Sequence, residues 1–102
     1  MKEIRFLGNS EKRIAEFPPH VMIRALHELD RLRHGLNPTN WKAMRSVGTG
    51  VREIRIRSRG AFRIIYIATW PELVFVLHAF RKTSAKTRKQ DIELARERLR
   101  DL

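Results

Sequence analysis

Five residues stand out as able to do chemistry: Arg55, Arg57, Arg63, Lys82 and His78, with Lys86 close behind. Guanidinium forks match the paired oxygens of a phosphate, and a group of them stabilises the charge that builds up as phosphorus gains a fifth ligand. If the phosphate belonged to RNA, the ribose 2′-hydroxyl would be a built-in nucleophile and no metal would be required. The protein would need to align that hydroxyl, neutralise the phosphate and move protons. Arginine moves protons poorly because its pKa stays above about 12. Lysine does better, since crowding by like charges lowers its pKa. Lys82 or Lys86 is then the candidate acid or base, His78 is another, and Arg57 and Arg63 form the electrostatic clamp. The plainer alternative is a solvated sheet face whose arginines pair with nothing.

Other chemistries find less support. His20, His27 and His34 are seven residues apart, which on a helix separates neighbours by about 10.5 Å, too far to share a metal ion. They read as a partly solvated helix face. His78 lies inside an apolar run and is either a backbone-bonded core residue or a residue looking into a cleft. The stretch 41–90 holds only two carboxylates, Glu53 and Glu72. A two-carboxylate acid/base site or a two-metal nuclease would need more. There is no cysteine, hence no disulfide framework and no thiolate metal site. Gly48-Thr49-Gly50 lacks the strand, loop and lysine context of a phosphate loop. No metal and no cofactor is expected.

The elements that must position the cationic group lie between Val51 and Lys86. In Arg52-Glu53-Ile54-Arg55-Ile56-Arg57 the isoleucines fall on one side of a strand, and Glu53, Arg55 and Arg57 on the other. Ser58-Arg59-Gly60-Ala61 supplies turn chemistry, with a glycine free to take positive φ. Phe62–Ala68 is nearly all apolar and rich in β-branched residues, the mark of a central strand buried on both faces. Thr69-Trp70-Pro71-Glu72 makes the next turn, and Leu73–Phe80 another buried strand that runs out into Arg81-Lys82. Arg57 and Arg63 flank one tight turn, so the cationic side chains can converge at one end of the sheet.

The remainder reads as scaffold. Lys2–Leu7 is a short edge strand, and Gly8-Asn9-Ser10 a turn and helix cap. Glu11–Phe17 is a short helix with Ile14, Ala15 and Phe17 inward. Pro18-Pro19 opens a second helix over residues 20–34, with Met22, Ile23, Leu26, Leu29 and Leu32 as its apolar stripe and Gly35 as its end. This helical hairpin should cover one sheet face. Trp41–Val47 alternates loosely and is expected to be a strand. Thr87 and Gln90 match a capping box before a helix over 88–101, with Ile92, Ala95 and Leu99 on one face.

Length and charge bound what these elements can do. At 102 residues the chain is one domain, 1–102, with a modest core. No run approaches the roughly 18 apolar residues of a membrane span. The N-terminus is too short and too charged for a signal peptide, so a soluble cytoplasmic protein without a membrane partner is the expectation. The net charge is +11, unevenly spread. Residues 1–40 carry 7 basic and 5 acidic side chains, residues 41–90 carry 12 and 2, and residues 91–102 carry 3 and 4. The excess sits in and around the sheet, which points to a polyanionic partner, nucleic acid or an acidic protein.

Several motifs together carry a family resemblance. They are Trp41-Lys42-Ala43-Met44, Val47-Gly48-Thr49-Gly50-Val51-Arg52-Glu53-Ile54-Arg55, Gly60-Ala61-Phe62-Arg63-Ile64-Ile65-Tyr66, Leu77-His78-Ala79-Phe80-Arg81-Lys82-Thr83 and Lys86-Thr87. With the helical hairpin and the closing Asp91-Ile92-Glu93-Leu94-Ala95, the chain resembles the RelE/ParE toxin superfamily in its HigB-like, phage-related branch. The resemblance implies an α+β fold, with an N-terminal helical hairpin and a C-terminal helix packed on a small, mainly antiparallel sheet. It implies the toxin of a type II toxin–antitoxin pair that cleaves mRNA on the ribosome. By motif, the family's basic catalytic positions fall near Arg55, Arg57, Arg63 and Lys82. Taken with the residue chemistry above, the expected catalytic set is Arg57, Arg63, Lys82 and His78, with Arg55, Arg59, Arg81, Lys86 and Arg88 contacting RNA. The RelE tyrosine after the last strand has no counterpart in Ser84–Gln90, which shifts proton transfer to His78, Lys82 and Lys86. The implied partner is a cognate antitoxin of helix-turn-helix type. Two competing functions are a ParE-like, non-catalytic inhibitor of a protein target such as gyrase, and a plain nucleic-acid-binding module.

Overall fold

A computed structural model describes all 102 residues. The elements are β1 (Glu3–Phe6), α1 (Ser10–Ala15), α2 (Pro19–Arg33), β2 (Trp41–Ala43), β3 (Val51–Arg57), β4 (Ala61–Ile67), β5 (Leu73–Lys82) and α3 (Lys89–Arg100). The five strands form one sheet in the order β1-β5-β4-β3-β2. Every neighbouring pair is antiparallel except β1 and β5. The fold is therefore the α+β arrangement expected from the sequence. No helix is long and apolar enough to cross a membrane.

The sheet is buried on both faces, and each face has its own core. The α1–α2 hairpin packs Ile14, Phe17, Val21, Ala25, Leu29 and Leu32 onto Ile54, Ile56, Phe62, Ile64, Tyr66 and Val76. On the other side α3 brings Ala95, with Ile92 and Leu99 beside it, onto Val51, Ile65, Ile67, Leu77 and Phe80. This double burial explains why β4 reads as an unbroken apolar run: Ile64 and Ile65 serve opposite faces and both are fully buried.

Four local expectations are corrected by tertiary contacts. The inward stripe of α2 is Val21, Ala25, Leu29 and Leu32, while Ile23 and Leu26 are 64% and 52% exposed. Small Val21 and Ala25 let the helix sit close to the sheet, and that turns the larger Ile23 and Leu26 outward. The strand at Trp41 stops at Ala43, because Val47 and Gly48 donate their amides back to the Met44 carbonyl and form a turn. Neither expected side-chain cap forms. Ser10 donates its hydroxyl to the Val76 carbonyl at 3.2 Å, and Asn9 accepts a bond from Arg98. The α3 helix starts at Lys89 with Arg88 as its uncapped lead residue, so Thr87 and Gln90 do not form a capping box. Asp91 supplies the negative charge in that first turn instead.

Candidate nucleic-acid interface and cleavage site

Strand register builds the site in rows. Opposed residues in antiparallel strands share a face, so the pairs Arg57↔Ala61 and Ala61↔Lys82 make one row across β3, β4 and β5. The next row is Arg55, Arg63 and Phe80, and the next is Glu53, Ile65 and His78. The pair Lys42↔Glu53 extends that last row onto β2. All of these residues lie on the α3 side of the sheet. Arg57 and Lys82 are two strands apart, roughly 10 Å at ordinary strand spacing. The turn between β3 and β4 forms as expected, with Gly60 at φ 152° and Arg59 at φ 50°.

A β-bulge decides whether Lys82 joins this face. Ile65 pairs with His78 but Tyr66 pairs with Val76, so Leu77 is an extra residue in β5. Before the bulge, Val74 and Val76 pack into the hairpin core. After it the phase reverses, and His78, Phe80 and Lys82 turn to the α3 side. A regular strand would have carried Lys82 to the opposite face and put Arg81 beside Arg57. The bulge is held by Arg98, whose Nη1 donates to the Leu77 carbonyl at 2.8 Å.

The electrostatics centre on Arg63. Its side chain is only 3% exposed. Nη1 donates to the Phe62 carbonyl at 3.2 Å, and the buried Nε has no hydrogen-bond partner. Glu53 Oε1 lies 3.7 Å from Arg63 Nε and 3.7 Å from Arg55 Nε. Burial pushes the Arg63 pKa down, Glu53 opposes that shift, and Arg55 and Arg57 reinforce it. A buried donor left unpaired costs about 1–3 kcal/mol. The unpaired Arg63 Nε faces Glu53, which compensates it by charge and not by a hydrogen bond.

The other expected site residues are distributed as follows. Lys82 is half-buried and pairs with no carboxylate, and Arg57 is exposed. Arg59 sits at the tip of the β3–β4 turn. Arg81 lies on the hairpin side of the sheet, its guanidinium 5.6 Å from the Phe62 ring centre, so it does not share the face of Arg57 and Arg63. Lys86 and Arg88 are exposed on the segment leading to α3, and Arg88 Nε donates to Asp91 Oδ2 at 3.3 Å.

His78 is in the core rather than in a cleft. It is 3% exposed, stacks on Phe80 at 5.1 Å, and places Nε2 at 2.8 Å from Asp91 Oδ1. Burial lowers its pKa, with Arg98 and Arg13 adding to that and Asp91 opposing. A neutral ring donating Nε2–H to Asp91 leaves Nδ1 buried and unpartnered. The pair ties α3 to β5. His20, His27 and His34 are all exposed along α2.

Sequence reasoning missed three contributors. Glu53 counted only as one of too few carboxylates, yet its alternation with Arg55 and Arg57 already placed it on their face. Asp91 carried no signal, because its partner comes from a strand thirteen residues earlier. Lys42 depended on the β2–β3 register. A surface cavity of about 750 Å³ lies at the other end of the strands, between Met1–Glu3, Arg33–Gly35 and Pro71–Glu72. Its lining is mixed in charge and it has no part in the cationic face. No curated protein matches the chain. A family model described as "Phage derived protein Gp49-like (DUF891)" matches residues 12–100, which takes in every residue of the cationic face.

Proposed function

The chain belongs to the Gp49-like phage-derived proteins, a RelE-like toxin family, and from that premise we propose that it is a ribosome-dependent mRNA endonuclease. A toxin of this family implies a cognate antitoxin, which on this reading is of helix-turn-helix type, and the toxin acts on translating ribosomes in the cytoplasm. The observation that carries the reading is that Arg57, Arg63 and Lys82 share one sheet face, with Arg55 directly opposite Arg63.

Each residue has a distinct role in the proposed reaction. Arg63, in a low-dielectric setting, stabilises the transition-state charge of the scissile phosphate through its terminal nitrogens. Arg57 and Arg55 add to that field and hold the strand. The 2′-hydroxyl attacks the adjacent phosphorus, forming a 2′,3′-cyclic phosphate as the 5′-oxygen leaves. Lys82, half-buried and paired with no carboxylate, is the group able to transfer the proton. His78 stays neutral against Asp91 and fixes the helix that backs the site. Arg59, Lys86 and Arg88 extend the cationic track along the RNA, and Arg81 serves only RNA that wraps around the turn.

The test is controlled expression in growing cells with mapping of transcript 5′ ends. Cuts in step with codons are the expected result. Damaged DNA with intact messages would mark an inhibitor of a protein target such as gyrase instead. Intact messages with normal growth would leave only nucleic-acid binding.

A further inference from the structure

The cross-strand pair Arg55↔Arg63 places like charges directly opposite each other, an arrangement that costs stability unless an anion intervenes. Glu53 is that anion. It precedes Arg55 by two residues on the same face, its side chain is 6% exposed, and Oε1 is equidistant from the two Nε atoms at 3.7 Å. That distance is too long for a hydrogen bond, so Glu53 acts by charge and leaves the donors unspent. A closed bidentate pair would have consumed a fork of one arginine and left the other unheld. Oε2 of Glu53 is buried without a partner, as is Arg63 Nε. The cluster is thus organised internally but not saturated.

We infer that Glu53 is a positioning residue whose single carboxylate holds the Nε sides of Arg55 and Arg63, so that their terminal nitrogens address one phosphate together. This deepens the proposed function and rests on its phosphate site, though not on cleavage itself. Glu53 touches the two arginines and never the reacting atoms.

The probe is inorganic phosphate, added to the full ¹⁵N-labelled chain while the arginine Nε–H resonances are followed by NMR. In the wild type, the Arg55 and Arg63 signals should move along one binding curve. In Glu53→Gln, which keeps size and loses charge, they should separate into two curves, with affinity reduced about 10–100-fold, as when outer-shell partners are removed elsewhere. Thermal melting checks that the variant folds. Should it fail to fold, Glu53→Asp retains the charge one methylene shorter and decides the matter: one weakened curve supports the inference, and an unchanged constant overturns it. Separate curves in the wild type, or a single unchanged curve in Glu53→Gln, also overturn it. In message cutting, Glu53→Gln should lower kcat by about 100-fold, because the two arginines no longer address the phosphate together in the transition state. A loss of cutting accompanied by a collapsed melting curve and no change in the phosphate titration of the folded fraction would reduce Glu53 to a scaffold residue. Joint phosphate binding by a wild type that cuts no message would refute the endonuclease and leave the role of Glu53 standing.

Discussion

Replacing Arg63 by Gln separates catalysis from scaffold, because the two effects have different sizes. The attraction between Glu53 and Arg63 at 3.7 Å is about 4–5 kcal/mol at an effective dielectric near 20. Burying the guanidinium already cancels several kcal/mol of that. Arg55 also remains 3.7 Å from the same carboxylate. The net loss of stability should therefore be about 1–2 kcal/mol, or a fall in Tm of about 4–16 °C for a domain of this size. Loss of one buried donor to the transition state should lower cutting about 10²–10³-fold. The double variant Glu53→Leu with Arg63→Met removes both charges and should recover most of the stability, since apolar replacements of buried pairs are often neutral or better. It should stay inactive. Thermal melting and cleavage of ribosome-bound message measure the two quantities independently. If Arg63→Gln melts lower as expected yet cuts at the wild-type rate, the residue belongs to the scaffold alone.

Three further outcomes follow from the geometry. Lys82→Met should reduce cutting about 10²–10⁴-fold by removing the proton-transfer group, while its melting free energy stays within about 0.5 kcal/mol of wild type. Because His78 has a folded pKa below its unfolded value near 6.5, the unfolded chain takes up a proton that the folded one resists. Its contribution to stability is complete above pH 6.5 and is lost as pH falls below that value. Melting followed from pH 7 to pH 5 should show the decline, and His78→Gln should flatten it. Leu29→Ala should cost about 2–5 kcal/mol because that side chain is 3% exposed. Leu26→Ala, at a position 52% exposed, should change stability by under about 0.5 kcal/mol, and an equal cost at both positions would contradict the orientation of α2.

Alternation and turn chemistry were enough to find β3, β4, β5 and the turns between them, and with them the side of the sheet on which Glu53, Arg55 and Arg57 stand. Those signals are local. What escaped them was set by distant contacts. Leu77 looks like any strand residue, yet it is the extra residue that turns His78 and Lys82 to the α3 side. Its bulge depends on Arg98, twenty-one residues further on. The stripe of α2 was misread because hydrophobicity favoured Ile23 and Leu26, whereas close approach to the sheet favoured Val21 and Ala25. The burial of His78 rests on Asp91 in the last helix, which no spacing rule connects to it.

The chemistry itself is tested most directly by a message carrying a single 2′-deoxyribose at the cut site, placed on purified ribosomes with the wild-type protein. Cutting should vanish at that position and persist at unmodified codons, leaving 2′,3′-cyclic phosphate and 5′-hydroxyl ends. Undiminished cutting at the deoxy position would show that the nucleophile is not the ribose, and that the cationic face works by another reaction.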